Sequence, residues 1–133
     1  MKKILLTVFV LFSISAIGQS VVPPHSVQDA FKQSHPDAYR LMWSNDNGNF
    51  KATYYQNKKQ VNTVYDANAV VLRNEYELSA SEIPSGISEY LTTAKAPADQ
   101  TKVFMIVNQD GSKSYYTVVN QEVKLFDQDG KVK

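Results

Sequence analysis

The chain has 133 residues, 14 Lys and Arg against 13 Asp and Glu, a mean hydropathy of −0.34 and no cysteine. So even a charge balance leaves no basic stripe for nucleic acid and no acidic tail. The lack of cysteine excludes a disulfide framework and a lipid-modified cysteine.

Lys2 and Lys3 precede an almost unbroken apolar run over 4–14, and Ser15-Ala16-Ile17-Gly18 places small residues where a signal peptidase cuts. A membrane-spanning helix needs ~20 apolar residues, and this run stops short. The expectation is a signal peptide over 1–18, with Gln19 first in a product that is periplasmic or secreted and has no stable membrane insertion. Cleavage would leave 115 residues carrying 12 basic and 13 acidic side chains. That is a common single-domain size, large enough to fold without a metal or disulfide staple.

Val22-Pro23-Pro24 reads as an extended entry, with Ser26 as a cap and Val27, Ala30 and Phe31 at helical spacing. The predicted helix covers 26–33 and stops at Pro36. The period then changes to two. Leu41 and Trp43 alternate with Arg40 and Met42, and Phe50, Ala52 and Tyr54 alternate with Lys51, Thr53 and Tyr55. Asn45 to Gly48, Asn57 to Lys59 and Ala67-Asn68 read as turns between strands that continue to about residue 78. Ile83-Pro84 then restarts the pattern, with Ile87, Leu91 and Ala94 on a second helix that Pro97 ends. Strands are predicted over 103–107, 115–119 and 123–126, with a last turn at Asp127 to Gly130.

The halves superpose in sequence. At an offset of 60, Pro24 meets Pro84, Val27 meets Ile87 and Phe31 meets Leu91; at 61, Trp43 meets Phe104, Tyr54-Tyr55 meets Tyr115-Tyr116 and Tyr65-Asp66 meets Phe126-Asp127. The expectation is an α+β domain of two tandem units, about 22–78 and 82–133. Each unit is a helix followed by antiparallel strands. The Val-Pro entry, short Ala-Phe helix, Pro stop, Trp strand, Tyr hairpins and Tyr/Phe-Asp turns resemble the PepSY-like exported proteins, also grouped as similar to β-lactamase-inhibitor protein. That resemblance implies two helices on one face of a curved antiparallel sheet of seven to eight strands, and a binding or inhibitory role. It carries no contact residue across, because the inhibitor depends on disulfides and no loop here matches its plugging segment. Ala69, standing where the second half has Gly130, is expected to avoid the left-handed backbone.

No catalytic signature is present. There is no Gly-x-Ser-x-Gly elbow and no Cys nucleophile, so the chain reads as a non-enzyme with no catalytic residues and no cofactor. His25 and His35 flank the first helix and read as solvent-exposed helix-end residues; no metal site is expected. Asp127-Gln128-Asp129-Gly130 lacks the closing Glu of a calcium loop and reads as a turn. Glu75 and Glu77 share one face of a strand, expected to be an edge or solvent face. Trp43, Tyr54, Tyr65, Phe104, Tyr115 and Phe126 are assigned to the core beneath the helices. The opposite face then presents Arg40, Met42, Lys51, Thr53, Tyr55, Met105, Tyr116 and Val118, a composition suited to protein–protein contact. The expected partner is a protein: a peptidase, a sensor or another envelope protein; a dimer is also possible. The alternative is a module sensing a small ligand or metal ion.

Overall fold

The computed structural model describes residues 20–96 and 101–133; the expected signal segment 1–18, its cut before Gln19, and Pro97, the expected stop of the second helix, lie outside them. In chain order the elements are α1 (His25–Ser34), β1 (Tyr39–Asp46), β2 (Asn49–Gln56), β3 (Lys59–Tyr65), β4 (Val71–Glu77), a 3-10 turn (Ala80–Glu82), α2 (Ser85–Thr93), β5 (Val103–Asn108), β6 (Lys113–Val119) and β7 (Glu122–Phe126). The seven strands form one antiparallel sheet in sequence order. The fold is α+β, with both helices on one face of an open sheet.

Each helix starts on a proline carbonyl. Val27 and Gln28 donate to Pro24 O at 3.0 and 3.1 Å, and Ile87 and Ser88 donate to Pro84 O at the same distances. Pro24 therefore stands at the N-cap, and Ser26, expected there, lies inside the first turn without a side-chain cap bond. Proline suits this place because its extended ψ leads the chain in while its carbonyl remains free to accept.

Three hairpins close on two residues with positive φ: Asn47-Gly48, Asn57-Lys58 and Asn120-Gln121. Such turns match the right-handed twist of the flanking strands, and Asn tolerates their first position. They fix the register. One row of facing partners runs Tyr54, Val61, Tyr76, Met105, Tyr115 and Phe126 across β2 to β7. This row lies on the helix side.

Two separate apolar clusters form there. Val27 and Phe31, one helical turn apart on α1, pack with Ala52, Tyr54, Val61 and Tyr65; Ile87 and Leu91 on α2 pack with Val103, Val119 and Phe126. Burying an aromatic such as Tyr54 or Phe126 contributes roughly 1.5–3 kcal/mol, so these rings hold the helices down. Two face assignments need correction, although Phe104 is buried as expected. Phe104 faces away from the helices, opposite Glu77 and Tyr116, whereas Met105 faces Tyr76 and Tyr115 on the helix side. The residue facing β6 as Trp43 faces Ala52 on β2 is Val107, opposite Lys113, three places beyond Phe104. The first hairpin is longer than its counterpart, so a single sequence offset cannot align both strands.

The turns after β3 and β7 are built alike. Asp66 Oδ1 accepts from Asn68 N (2.8 Å) and Val70 N (3.0 Å), while Asp127 Oδ1 accepts from Asp129 N (2.9 Å) and Lys131 N (3.0 Å). Both need a left-handed residue at the same place, Ala69 (φ 63°) and Gly130 (φ 78°). Ala69 thus adopts the conformation it was expected to avoid, because the Asp66 bonds over-determine the turn. Gly130 is also required sterically: a Cβ there would sit 2.9 Å from Pro84 Cβ, and one on Gly86 would sit 2.7 Å from the Gly130 carbonyl oxygen. The chain flanking the sheet touches both edges. Val21 N donates to Trp43 O on β1 (3.4 Å), and Lys133 N donates to Leu125 O on β7 (3.0 Å) beside a Phe126–Val132 bridge.

Two stability changes follow. Ala69→Gly should raise the unfolding free energy by about 0.5–1 kcal/mol, because the steric cost of left-handed alanine, about 1–2 kcal/mol, is only partly offset by glycine's chain entropy. Thermal unfolding followed by circular dichroism checks it. Tyr65 Oη is buried without a hydrogen-bond partner, and burial together with neighbouring Tyr54 pushes its pKa up to about 12. The matching position in the second half is Phe126, so Tyr65→Phe should fit and stabilise by about 1 kcal/mol. A urea midpoint that falls instead would show that the hydroxyl is satisfied in solution.

Candidate functional site: the helix-free sheet face

The face away from the helices is built from three rows. Met42, Thr53, Asn62, Glu75, Ile106 and Ser114 form the middle row, and Ser44, Lys51, Val64, Arg73 and Asn108 form a second. The third starts with Tyr39 and Tyr55, crosses Gln60 and Glu77, and ends with Phe104, Tyr116 and Leu125. Arg40, Met42, Lys51, Thr53, Tyr55, Tyr116 and Val118 all lie on this face. Met105 does not, for the register reason given above. Val118 pairs with Val123 at the far end, away from the others.

A β-bulge shapes the near end. Register shifts between Tyr39 and Met42, and Arg40 takes a left-handed backbone at φ 55°. Without the bulge, Tyr39 would share the side of Trp43; with it, Tyr39 opposes Tyr55 on the helix-free face. Their rings stack at 5.9 Å, and Arg40 Cζ lies 5.9 Å from the Tyr55 centroid. Lys102 Nζ approaches the same ring at 5.7 Å and donates to Gln60 Oε1 at 3.2 Å. Across the face, Phe104 and Tyr116 stack at 5.0 Å with an interplanar angle of 11°.

At the centre sits a buried carboxylate. Glu75, expected on a solvent face, is only 3% exposed. It accepts hydrogen bonds from Asn62 Nδ2 (2.9 Å), Tyr116 Oη (3.0 Å) and Arg73 Nε (2.9 Å), with Lys51 Nζ at 3.4 Å. Arg73 also donates to Asp46, tying the end of β1 into the cluster. Burial by itself would push Glu75 up. The charge of Lys51, the hydrogen bond and charge of Arg73 and the Asn62 amide outweigh burial and hold the carboxyl below the usual carboxylate range. Burial, together with the Glu75 charge and hydrogen bond, pushes the Tyr116 phenol well above its ordinary value. The cluster is closed: each charge has a partner within it, which gives its carboxylates a structural role rather than that of an acid–base pair.

The residues missed in sequence divide by cause. Arg73 alternates visibly with Glu75 and Glu77 on β4, whose shared face was read as an edge or solvent face, and that alternation could have joined it to Lys51. Nothing local announces the bulge that recruits Tyr39, or the longer first hairpin that sends Phe104 to this face.

The remaining candidates are plainer. His25 is exposed, but His35 is half-buried, its ring 5.2 Å from Phe31 and 4.9 Å from Tyr54, and burial lowers its pKa. Among the described residues no group of three His, Cys, Asp or Glu side chains could hold a metal ion. The Asp127 carboxylate is engaged by its own turn amides. Near the β2–β3 turn, a hollow of about 300 Å³ is lined by Gln56, Asn57, Lys59, Gln60, Val61, Tyr76 and Glu77. Lys59 is already held there by Ser79 and Glu82, and Glu77 by the Gln60 amide.

The fold recurs among solved structures. A candidate periplasmic protein from Bacteroides eggerthii superposes with a TM-score of 0.65 at 19% identity, covering 84% of this chain and 86% of that one. A DUF2874 family protein from Bacteroides uniformis gives 0.63 at 18% identity over 84% and 86% of the two chains. A BLIP-like protein from Bacteroides fragilis gives 0.56 at 21% identity over 85% and 84%. This chain shares their fold. No family model matches the sequence, and no curated protein matches it. Among the described residues, no helix is long and apolar enough to cross a membrane.

The central cluster makes stability depend on acid. Because the Glu75 pKa is depressed in the folded state, its contribution is present above the unfolded carboxylate value and is lost as pH falls through the folded one. Glu75→Gln should therefore destabilise by about 3 kcal/mol at pH 7, where it leaves Lys51 and Arg73 undercompensated, and by much less near pH 2. Equal losses at both pH values would remove the ionised carboxylate from the account.

Proposed function

We propose that this protein is an exported, non-catalytic binding module that docks a protein partner on its helix-free sheet face. The carrying observation is the stacked couple Tyr39–Tyr55, with Tyr39 43% exposed, mounted on a sheet whose buried charges already satisfy one another. Rigid aromatic side chains lose little entropy on binding, and desolvating them is favourable. Met42, 66% exposed in the middle row, adds an adaptable apolar contact. The likeness to periplasmic and BLIP-like folds supports an envelope location and an inhibitor-like or regulatory role, as does the basic, apolar, small-residue pattern of 1–18. The PepSY-like resemblance and the matching Asp66 and Asp127 turns support descent of the two halves from one repeated unit.

Mechanism is occlusion: an interface of standard size covers the partner's cleft without any bond being made or broken. The test uses the full exported chain as bait in an envelope extract, followed by titration of the recovered partner. Tyr39→Ala combined with Tyr55→Ala should weaken binding by about 2 kcal/mol, roughly 30-fold. Lys32→Ala combined with Glu89→Ala, on the exposed sides of the helices, should leave it unchanged. Unaltered affinity of the tyrosine variant would remove this face as the docking surface.

A further inference from the structure

The bulged end of this face carries charge as well as rings. Arg40, Lys51, Arg73 and Lys102 stand against Asp46, Glu75 and Glu77, four cations to three carboxylates, while the rest of the exported chain has eight basic and ten acidic side chains. The helix-free face is thus net positive by one, and the rest of the exported chain net negative by two. The distribution of charge on this face is uneven. Lys51 and Arg73 are spent on Glu75 and Asp46 in the centre. Among the described residues, no carboxylate lies within ion-pair distance of the Arg40 guanidinium. Lys102 reaches Glu77 only at 3.9 Å, and the same Glu77 oxygen accepts from Gln60 N at 2.8 Å. The surplus cation lies at the Tyr39–Tyr55 end.

The backbone holds it there at a cost. Arginine in the left-handed region is strained, and such strain persists only where neighbours over-determine it. Here the bulge turns Tyr39 to the helix-free face, and the guanidinium lies over the Tyr55 ring. A guanidinium fixed against a ring keeps most of its donors free and loses little freedom when it meets a planar acceptor. Taking up the docking function proposed above and resting on it, we propose that this end reads an acidic loop of the protein partner, its carboxylates on Arg40 and Lys102 and its apolar side chains on Tyr39 and Tyr55.

Chemical-shift mapping of the ¹⁵N-labelled exported chain tests it with two end-blocked pentapeptides, GEYDG and its uncharged isostere GQYNG. The acidic peptide should shift the amides around Tyr39, Arg40, Tyr55 and Lys102 and bind about three- to tenfold more tightly than the amide one, as partly exposed ion pairs allow. Raised salt should narrow the gap. Arg40→Gln combined with Lys102→Gln should abolish the difference between the peptides. Equal affinities mapping to the helix-free face would overturn the acidic partner while leaving the docking face in place. Shifts confined to the helix side, or none with either peptide, would overturn both.

Discussion

The ionised Glu75 joins the two halves of this molecule. On the helix side the apolar clusters under α1 and α2 are separate, and β4, which lies between them, belongs to neither. The continuity that hydrophobic packing fails to provide there is provided on the opposite face by one buried carboxylate. It gathers a lysine from β2, an amide from β3, an arginine from its own strand and a phenol from β6, and through Arg73 it reaches the end of β1. Five of the seven strands thereby converge on a single charge.

A buried ion is weak as a source of net stability, since desolvation offsets much of the Coulombic gain. Its value lies in directionality. Apolar side chains on the two halves would tolerate a slip of β5 against β4, whereas a carboxylate must find its donors at fixed positions. Sliding the ladder by one residue would turn Tyr116 to the other face and leave Glu75 short of a donor. The ionic centre and the helix-side cores therefore divide the work: burial supplies the driving force and the carboxylate selects one pairing.

Much of the architecture was legible from spacing alone. Alternation placed Tyr54, Tyr65, Tyr115 and Phe126 under the helices; Tyr54, Tyr65 and Phe126 each follow an Asn-containing two-residue turn that fixes register, and Tyr115 keeps that side after the longer 109–112 loop. It failed where register is not set locally. Phe104 and Met105 were exchanged because the first hairpin is longer than its counterpart, and Tyr39 was missed because the Arg40 bulge reverses parity without a glycine to mark it. The candidate face was read in outline from Arg40, Met42, Lys51, Thr53, Tyr55 and Tyr116. Its buried centre was not. Whether Glu75 is wet or dry depends on the reach of side chains from three other strands, a property that no single stretch of sequence contains.

The contacts of the flanking chain at the two sheet margins bear on solubility. A seven-stranded sheet that does not close leaves two rows of unpaired amides, and such rows invite pairing with neighbouring molecules. Here the residues just before the first helix touch one margin, through Val21 on Trp43, and those after the last strand touch the other, through Lys133 on Leu125. The Arg40 bulge twists the first margin further and breaks its flat run. Short segments outside the sheet thus occupy part of each margin, where a neighbouring ribbon would otherwise pair.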